Sequence, residues 1–207
     1  MANKELIKTG IFGGAFNPPH NGHVNLAREA IEQLKLRKLL IIPTFESPHK
    51  STKLLPFEQR AEMCRRAFEP LNGAGNCNCE VVISDIEREM GGVSYTINTL
   101  RELAKRLPDE RFFLLIGSDM LFSFREWYRY ESILKESTVC AVAREDDSFT
   151  DMKEFANQIG RVKVLQTSVV DVSSTEIRER IAAGGGVSEL LPQSVAEYIG
   201  ENKLYRG

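Results

Sequence analysis

The sequence predicts an α/β protein with a mainly parallel sheet that is covered by helices on both faces. Apolar, β-rich runs alternate with segments of helical period along the whole chain. The predicted strands are continuous apolar runs, which is typical of parallel strands that are buried on both faces. Because such sheets bind ligands beyond the carboxyl ends of their strands, we expect the functional residues in the loops that follow strands.

Six strands are predicted from short apolar runs, several of them bounded by residues that favour turns. The third, for example, follows a loop that is rich in Gly and Asn. In chain order the predicted strands lie at 6–12, 39–43, 80–84, 111–116, 138–143 and 162–165.

Helical segments alternate with these strands. An apolar stripe that includes Ala27, Ala30, Ile31 and Leu34 predicts the first. The second begins directly after Pro56, a residue that is tolerated at the start of a helix. In chain order the helical segments lie at 22–36, 57–68, 94–107, around 120–134, 151–160, 174–183 and 195–202.

Composition restricts the class of protein. The chain has 207 residues, 42% of them apolar, and 27 basic against 29 acidic residues give a net charge of -2. This composition excludes a disordered chain, and the lack of excess basic charge argues against a protein that coats nucleic acid. A local pocket can still be positive, so a small anionic ligand fits. We expect one domain over 1–207, in which the part from about 172 to 207 is a helical closing segment.

The cysteines and the N-terminus indicate the compartment. Four cysteines, at 64, 77, 79 and 140, are too few for a disulfide scaffold. Cys77 and Cys79 form C-x-C, which differs from the C-x2-C of structural zinc sites. No signal peptide is visible, and no apolar run approaches the roughly 18 residues of a membrane-spanning helix. We therefore expect a cytoplasmic protein that binds no membrane and no nucleic acid, with homo-oligomer formation left open.

The loop after the first strand has the composition of an anion site. Gly13 and Gly14 let the backbone turn and lie against a ligand. His20 and His23 flank Gly22 where the first helix begins, and the helix N-terminus adds free N–H groups and positive partial charge. Backbone donors, the helix dipole and two imidazoles together favour a phosphate. The standard phosphate loops are excluded, because neither a Gly-Lys dipeptide nor G-x-G-x-x-G spacing occurs here.

The third histidine of the chain, His49, follows the second predicted strand and is next to Lys50. Lys50 can meet a phosphate oxygen as a mobile point charge. Two alternatives to the phosphate site are a plain strand-to-helix turn and a zinc site of His20, His23 and His49, as in a metallohydrolase. No clustered carboxylate or cysteine obviously completes such a zinc site.

A second candidate phosphate-binding segment lies at 172–178. Ser173 or Ser174 can cap the helix that begins there. Taken alone, the pattern fits an ordinary N-cap equally well. Arg178 favours a ligand, because its guanidinium lies one turn in from the cap and can reach the anion that the helix terminus attracts.

These segments resemble the signatures of a known family. GGAFNPPHNGH at 13–23 is similar to the H-x-G-H signature of the nucleotidylyltransferase superfamily, and VSSTEIR at 172–178 is similar to its I-S-S-T-x-I-R signature. Within the superfamily, the nicotinate-nucleotide adenylyltransferase family matches best. The similarity runs in order from Gly10 to Tyr205 and includes SPHK, GGVSYTINTL, LIGSDMLFSFREWYRYESIL, VAREDD and LPQSVAEYIGENKLY.

The resemblance implies a Rossmann-like, doubly wound sheet and the transfer of AMP from ATP to nicotinate mononucleotide in NAD biosynthesis, with pyrophosphate as the other product and Mg²⁺ as the cofactor. It also implies roles for individual residues. The implied catalytic residues are His20, His23, Lys50 and Arg178. The implied ATP-binding residues are Gly13, Gly14, Ala15, Phe16, Gly22, Gly117, Asp119, Ser174 and Thr175. The implied residues for the mononucleotide are Asn17, Tyr95, Thr96 and Trp127, and no protein-held metal is implied.

Some positions depart from the family pattern. Ala15 and Asn17 stand where a hydroxyl residue and Asp are usual, so the expected contact at Ala15 is through its backbone. Ser47 replaces the first proline of the usual P-P-H-K. Arg144 is followed by Glu145 instead of the usual Pro, which weakens the transfer of a role onto Arg144.

The acceptor is predicted from the segment at 91–96. Two glycines precede a helix start there, and exposed N–H groups at that start favour a carboxylate over a carboxamide. Trp127, the only tryptophan, can stack on a pyridine ring, or it can pack in the core beside Phe122 and Phe124. Alternative functions are the same chemistry on nicotinamide mononucleotide or phosphopantetheine, and a non-catalytic ATP-binding module.

Overall fold

The computed structural model describes residues 5–47, 54–76, 78–143, 148–167 and 172–206. Six strands form one sheet in the order β3-β2-β1-β4-β5-β6, and every neighbouring pair is parallel. The expected α/β class with a mainly parallel sheet is confirmed. The strands are β1 Ile7–Gly14, β2 Lys38–Pro43, β3 Glu80–Ile83, β4 Glu110–Gly117, β5 Thr138–Ala143 and β6 Val162–Gln166.

Helices connect consecutive strands and follow the last one. They are α1 Asn21–Leu34, α2 Phe57–Phe68, α3 Ile86–Met90, α4 Thr96–Arg106, α5 Ser118–Phe122, α6 Tyr130–Glu136, α7 Phe149–Ile159, α8 Ser174–Ala182 and α9 Gln193–Glu201. Most bounds lie within two residues of the sequence prediction. The predicted stretch at 120–134 is divided into α5, a 3-10 turn and α6, and the five-residue α3 was not predicted because it is too short to show a helical period.

Alternate residues of the strands pack on opposite faces of the sheet. On β4, Phe113 and Leu115 face a cluster that includes apolar residues of α1, α2, α8 and α9. Phe112 and Leu114 face a second cluster with residues of α4, α6 and α7. This alternation confirms that the sheet is covered on both faces, and it explains why the strands are apolar throughout.

The strand order creates one crevice where a ligand can enter. β1 lies between β2 and β4, so the chain leaves β1 toward one side of the sheet and later returns to build the other side from β4. In open parallel sheets such a switch point leaves room outside the carboxyl ends of the strands. None of the helices in the described ranges is both long and apolar enough to span a membrane.

Candidate active site

A cavity of about 740 Å³ lies at the carboxyl ends of β1, β2 and β4, at the switch point of the sheet. Its apolar floor is made by strand residues, among them Ile11, Ile42, Leu114 and Ile116. Its polar walls come from the loops that follow β1 and β2, from the start of α4 and from the start of α8. The loops that we expected to carry functional residues therefore border one cavity.

The loop after β1 turns its backbone toward this cavity. Gly13, Gly14, Ala15 and Asn17 line it. A Cβ at Gly14 would lie 3.3 Å from the Phe16 ring, so the turn leaves little room for a side chain at that position. Phe16 is only 2% exposed, and its ring packs in an aromatic cluster. The side chain of Phe16 is therefore core, so only its main chain is left for the predicted ATP contact.

The rings of the two histidines of this loop are in contact, tilted by 32°. His20 is the N-cap residue of α1, His23 lies in its first turn, and their ring centroids are 3.7 Å apart. The amide of His20 donates a hydrogen bond to Nδ1 of His23 at 3.2 Å. Because Nδ1 accepts, a neutral imidazole at His23 carries its proton on Nε2. Neither His20 nor His23 is among the residues that line the cavity. Gly22 lies between them in the first turn.

The start of α8 is hydrogen-bonded to the same loop. Ser173 is the N-cap residue, and its side chain accepts from the amide of Glu176 at 3.1 Å. The Ser174 hydroxyl donates to the carbonyl oxygen of Pro18 at 2.8 Å, and Nη1 of Arg178 donates to the carbonyl oxygen of Asn17 at 2.9 Å. Two segments that are far apart in the sequence therefore meet at one end of the cavity.

Arg178 is oriented by this contact. Its Nη2 also donates to Oγ1 of Thr175 at 3.1 Å, and both Ser174 and Arg178 line the cavity. The guanidinium of Arg178 is thus oriented by hydrogen bonds to a backbone carbonyl through Nη1 and to a hydroxyl through Nη2. The first-loop glycines, the α8 start and a cation surround one space, which is the arrangement that anion binding requires.

Comparison with known proteins agrees with this geometry. The cytidylyltransferase-like family matches residues 11–180. A relative from Exiguobacterium sibiricum, called a probable nicotinate-nucleotide adenylyltransferase, is 37% identical over 96% of this chain and 99% of its own length. The chain belongs to the nicotinate-nucleotide adenylyltransferase family. The resemblance seen in the sequence, and the nucleotidyltransferase class that it implied, are therefore confirmed.

Solved structures of adenylyltransferases share the fold. A Vibrio parahaemolyticus protein described as a putative nicotinate-nucleotide adenylyltransferase has a TM-score of 0.69 at 22% identity, over 97% of this chain and 96% of its own. A Plasmodium falciparum nicotinic acid mononucleotide adenylyltransferase, solved as a complex with APC, has a TM-score of 0.74 at 14% identity, over 96% and 97% of the two chains. The Rossmann-like, doubly wound architecture implied by the resemblance is thus confirmed.

The other end of the cavity is aromatic. Tyr95, Thr96 and Trp127 line it, as the family assignment of the mononucleotide site expects. Tyr95 is the N-cap residue of α4, and its ring lies 4.8 Å from that of Tyr128. Trp127 is partly buried and packs against Phe124 at 5.3 Å between centroids while it lines the cavity. The core and cavity interpretations of Trp127 therefore both describe part of this side chain.

The amides before α4 are partly used within the protein. The amide of Ser94 donates to the carbonyl oxygen of Glu46 at 2.9 Å, and that of Tyr95 donates to Val93 at 3.1 Å. The predicted row of exposed N–H groups at 91–96 is therefore shorter than expected. In the first turn of α4, the amides of Asn98 and Thr99 donate to the carbonyl oxygen of Tyr95, so Thr96 and Ile97 carry the amides that this helix start offers to a carboxylate.

Gly117 and Asp119 lie at the turn between β4 and α5. Gly117 is the N-cap residue of α5, and its neighbours Ile116 and Met120 line the cavity. A Cβ at Gly117 would lie 2.5 Å from Oδ1 of Asp119, so glycine lets the carboxylate approach the backbone. Asp119 is exposed in the first turn of α5, next to Met120.

Some predicted residues fall outside the described ranges. These are His49 and Lys50 from the loop after β2, Cys77, and Arg144 with Glu145 after β5. Within the ranges that the structure describes, no group of three or more His, Cys, Asp or Glu is arranged to hold a metal ion.

Asn17 holds the loop in addition to lining the cavity. Its Oδ1 accepts from the hydroxyl of Tyr205 at 2.9 Å and from the amide of Leu55 at 3.4 Å. Sequence reasoning assigned this side chain to the mononucleotide and missed Tyr205, which comes 188 residues later. Burial raises the pKa of Tyr205, so the phenol stays protonated and donates.

Two charged residues beside the cavity, one buried and one partly buried, were also missed. Arg60, on α2, is 1% exposed and donates only to main-chain carbonyls. Glu87, on α3, lines the cavity, and burial raises the pKa of its carboxyl. One signal was present in the sequence, since Arg60 falls on the apolar stripe that Phe57, Ala61 and Cys64 form along α2.

Proposed function

We propose that this chain transfers AMP from ATP to nicotinate mononucleotide and releases pyrophosphate. The observation that carries the proposal is the shared cavity, in which the glycine loop after β1 and the start of α8 face one space. Family membership supports the reaction class, because the relatives named above carry the name of this activity.

The reaction needs little covalent chemistry from the protein. The phosphate of the mononucleotide is a monoester with a second pKa of about 6, so it is already mostly a dianion at neutral pH. Its oxygen attacks the α-phosphorus of ATP, a new P–O bond forms, and the bond from the α-phosphorus to the bridging oxygen of the β-phosphate breaks. Pyrophosphate leaves with that electron pair. No general base is required, so catalysis is positioning and electrostatic stabilisation.

We assign the electrostatic part to four side chains. His23 offers its Nε2 proton to a phosphate oxygen, because its Nδ1 is occupied by the amide of His20. His20 stacks against it and shares the helix terminus. Arg178, held by Asn17 and Thr175, neutralises charge on the triphosphate, and Lys50 does so from the loop after β2.

The proposed metal is Mg²⁺ that arrives with ATP. This ion keeps several waters and is usually bound by substrate phosphates plus one or two carboxylates. Such an ion makes few demands on the protein, and Asp119, in the first turn of α5, is a carboxylate that fits this need. When bound, Mg²⁺ would reduce the negative charge of the triphosphate.

The proposed acceptor is the acid form of the mononucleotide. The amides of Thr96 and Ile97 and the positive end of the helix dipole, all at the start of α4, favour a carboxylate. Glu87, on the same wall, acts in the opposite sense when it is ionised. The preference for the acid therefore depends on the helix terminus outweighing one buried carboxyl group.

The test is pyrophosphate release from ATP and Mg²⁺ with each acceptor in turn: nicotinate mononucleotide, nicotinamide mononucleotide and phosphopantetheine. We expect the largest kcat/KM with the acid mononucleotide. A preference for the amide would overturn the assignment of the carboxylate to α4, and a preference for phosphopantetheine would overturn the acceptor class. ATP binding in calorimetry without pyrophosphate release from any acceptor would establish a non-catalytic ATP-binding module instead.

A further inference from the structure

One peptide group at the rim of the cavity is held between a buried charge and a partly buried one. Nη2 of Arg60 donates to the carbonyl oxygen of Thr44 at 2.7 Å. The next amide, that of Phe45, donates to Oε2 of Glu87 at 3.3 Å. The carbonyl of Thr44 and the N–H of Phe45 belong to the same peptide bond. A cation therefore binds the negative end of this peptide dipole, and an anion binds its positive end.

We propose that Arg60 and Glu87 form a charge clamp on the Thr44–Phe45 peptide and act as positioning residues for the reaction proposed above. The clamp is defined by these two side chains and this one peptide. It fixes the backbone directly after β2, where Thr44 lines the cavity. It rests on the proposed function only for its effect on turnover, because its effect on the peptide itself can be measured without substrate.

Arg60 connects the rim to the phosphate loop. Besides Thr44, its Nη1 donates to the carbonyl oxygen of Ala15 at 2.9 Å and its Nε donates to that of Leu55 at 2.9 Å. Three segments of the chain are thus fixed by one planar group, whose donors have a rigid geometry. Ala15 lines the cavity, so a displacement of Arg60 moves both the loop after β1 and the loop after β2.

Glu87 connects the same rim to the start of α4. Its Oε1 accepts from the hydroxyl of Thr99 at 3.0 Å while Oε2 accepts from Phe45. Next to this contact, Glu46 and Ser94 are paired twice, through the Ser94 amide and through the Ser94 hydroxyl. The rim after β2 is therefore held to the aromatic end of the cavity as well as to its phosphate end.

The charges matter in addition to the hydrogen bonds. Hydrogen bonds to ionised groups are roughly twice as strong as neutral ones, and a low local dielectric strengthens them further. Burial lowers the pKa of Arg60 and raises that of Glu87, and the charge of each side chain offsets part of the shift of the other. Removing either charge weakens the hold on the peptide at both ends.

The direct test is amide hydrogen exchange at Phe45, measured by NMR on the full chain without ligand. The variants are Arg60→Lys, which keeps the charge but loses the planar fork, and Glu87→Gln, which keeps the shape but loses the charge. We expect the Phe45 amide to exchange at least tenfold faster in both, although residue 60 does not bond to that amide. Arg65→Lys and Glu89→Gln, exposed neighbours on the same two helices, are the matched controls and should leave it unchanged.

Turnover gives the functional measurement. We expect kcat for pyrophosphate release to fall at least tenfold in Arg60→Lys and severalfold in Glu87→Gln, with less than threefold change in the KM for ATP. A shift of the reacting groups of about 1 Å is enough to reduce the rate this far. The double variant should lose less than the product of the two single losses, because either change alone already opens the clamp.

Several results would overturn the clamp. These are an unchanged Phe45 exchange rate in Arg60→Lys, an unchanged kcat despite faster exchange, and single losses that multiply in the double variant. If Arg60→Lys does not fold, Glu87→Gln decides alone by the same two measurements. A wild-type chain that releases no pyrophosphate would refute the proposed function, while the exchange rates would still decide whether the clamp exists.

Discussion

The two ends of the sheet both bury charged groups but use them differently. At the amino end, Nζ of Lys38 lies 2.6 Å from Oε1 of Glu110, and the hydroxyl of Thr9 donates to Oε2 at 2.7 Å. These charges are bound to each other. At the carboxyl end, the hydrogen bonds of Arg60 go to backbone carbonyls, and those of Glu87 come from a backbone amide and hydroxyls. There the buried charges organise loops.

The difference follows from what each end has to do. Lys38 and Glu110 belong to β2 and β4, the two neighbours of β1, and Thr9 is opposite Lys38 in the register. The ion pair joins β2 to β4, and the hydroxyl of Thr9 joins β1 to the same carboxylate. The carboxyl end has to present backbone and cations to an anionic ligand, so its charges are arranged around loops that line a cavity.

The largest expected effect is at the carboxyl end. His23→Ala should lower kcat by roughly 10²–10³, the usual cost of removing one preorganised donor to a developing negative charge. The reason is loss of the Nε2 donor, whose tautomer is fixed by the amide of His20. Steady-state pyrophosphate release measures kcat, and urea unfolding measures stability.

The matched control for His23 is Arg28→Ala, an exposed position on the same helix. It should leave kcat within twofold of the wild type. A loss below about threefold in His23→Ala would make this histidine a structural residue, and the two ends of the sheet would then differ less than we infer.

The next effect belongs to the amino end and should appear in stability alone. Lys38→Met leaves the Glu110 carboxylate, whose side chain is 4% exposed, without its cation. Breaking a buried pair in this way costs about 3 kcal/mol, the lower end of the usual range. Urea unfolding measures this loss, while kcat at a temperature where the variant is folded should be unchanged.

An exposed ion pair is the control for the stability loss in Lys38→Met. Lys105→Met removes the partner of Glu102 on the surface of α4, and surface pairs typically contribute less than about 1 kcal/mol. If Lys38→Met cost no more than Lys105→Met, the amino-end pair would not be a stabilising feature. If it lowered kcat more than threefold, the separation between a structural end and a functional end would be wrong.

A smaller effect should distinguish the two ends of the cavity by the substrate whose KM changes. Trp127→Ala removes an aromatic wall at the end away from Arg178. We expect the KM for nicotinate mononucleotide to rise about tenfold, as loss of one aromatic stacking contact allows, and the KM for ATP to change less than twofold. Equal rises in both would show that Trp127 acts through its packing against Phe124.

The sequence predicted the features that depend on local spacing. The glycine loop before α1 and the cap before α8 lie within a few residues of the side chains they present, so both were found at their correct positions. The features it missed depend on distant contacts. Tyr205 meets Asn17 across 188 residues, and Arg60 gathers carbonyls from three segments that no short motif joins.

The smallest effect concerns Glu87 and the pH dependence of stability. Burial raises the pKa of this carboxyl above its ordinary value, more than its hydrogen bonds and Arg60 lower it. A raised pKa means that the folded chain holds the proton more tightly than the unfolded chain does. The stability that this tighter proton binding contributes is fully present below the ordinary Glu pKa and is lost as the pH rises through the raised value in the folded protein.

The variant Glu87→Gln has no such proton. The free energy of unfolding of the wild type, minus that of the variant, should therefore fall as the pH rises from about 4 toward neutrality. Urea unfolding at several pH values measures the difference, and Glu89→Gln, an exposed residue paired with Arg106, should show no comparable trend. A difference that rises with pH would mean that the ionised Glu87 is stabilised by folding, so that both ends of the sheet would hold their buried carboxylates in the same way.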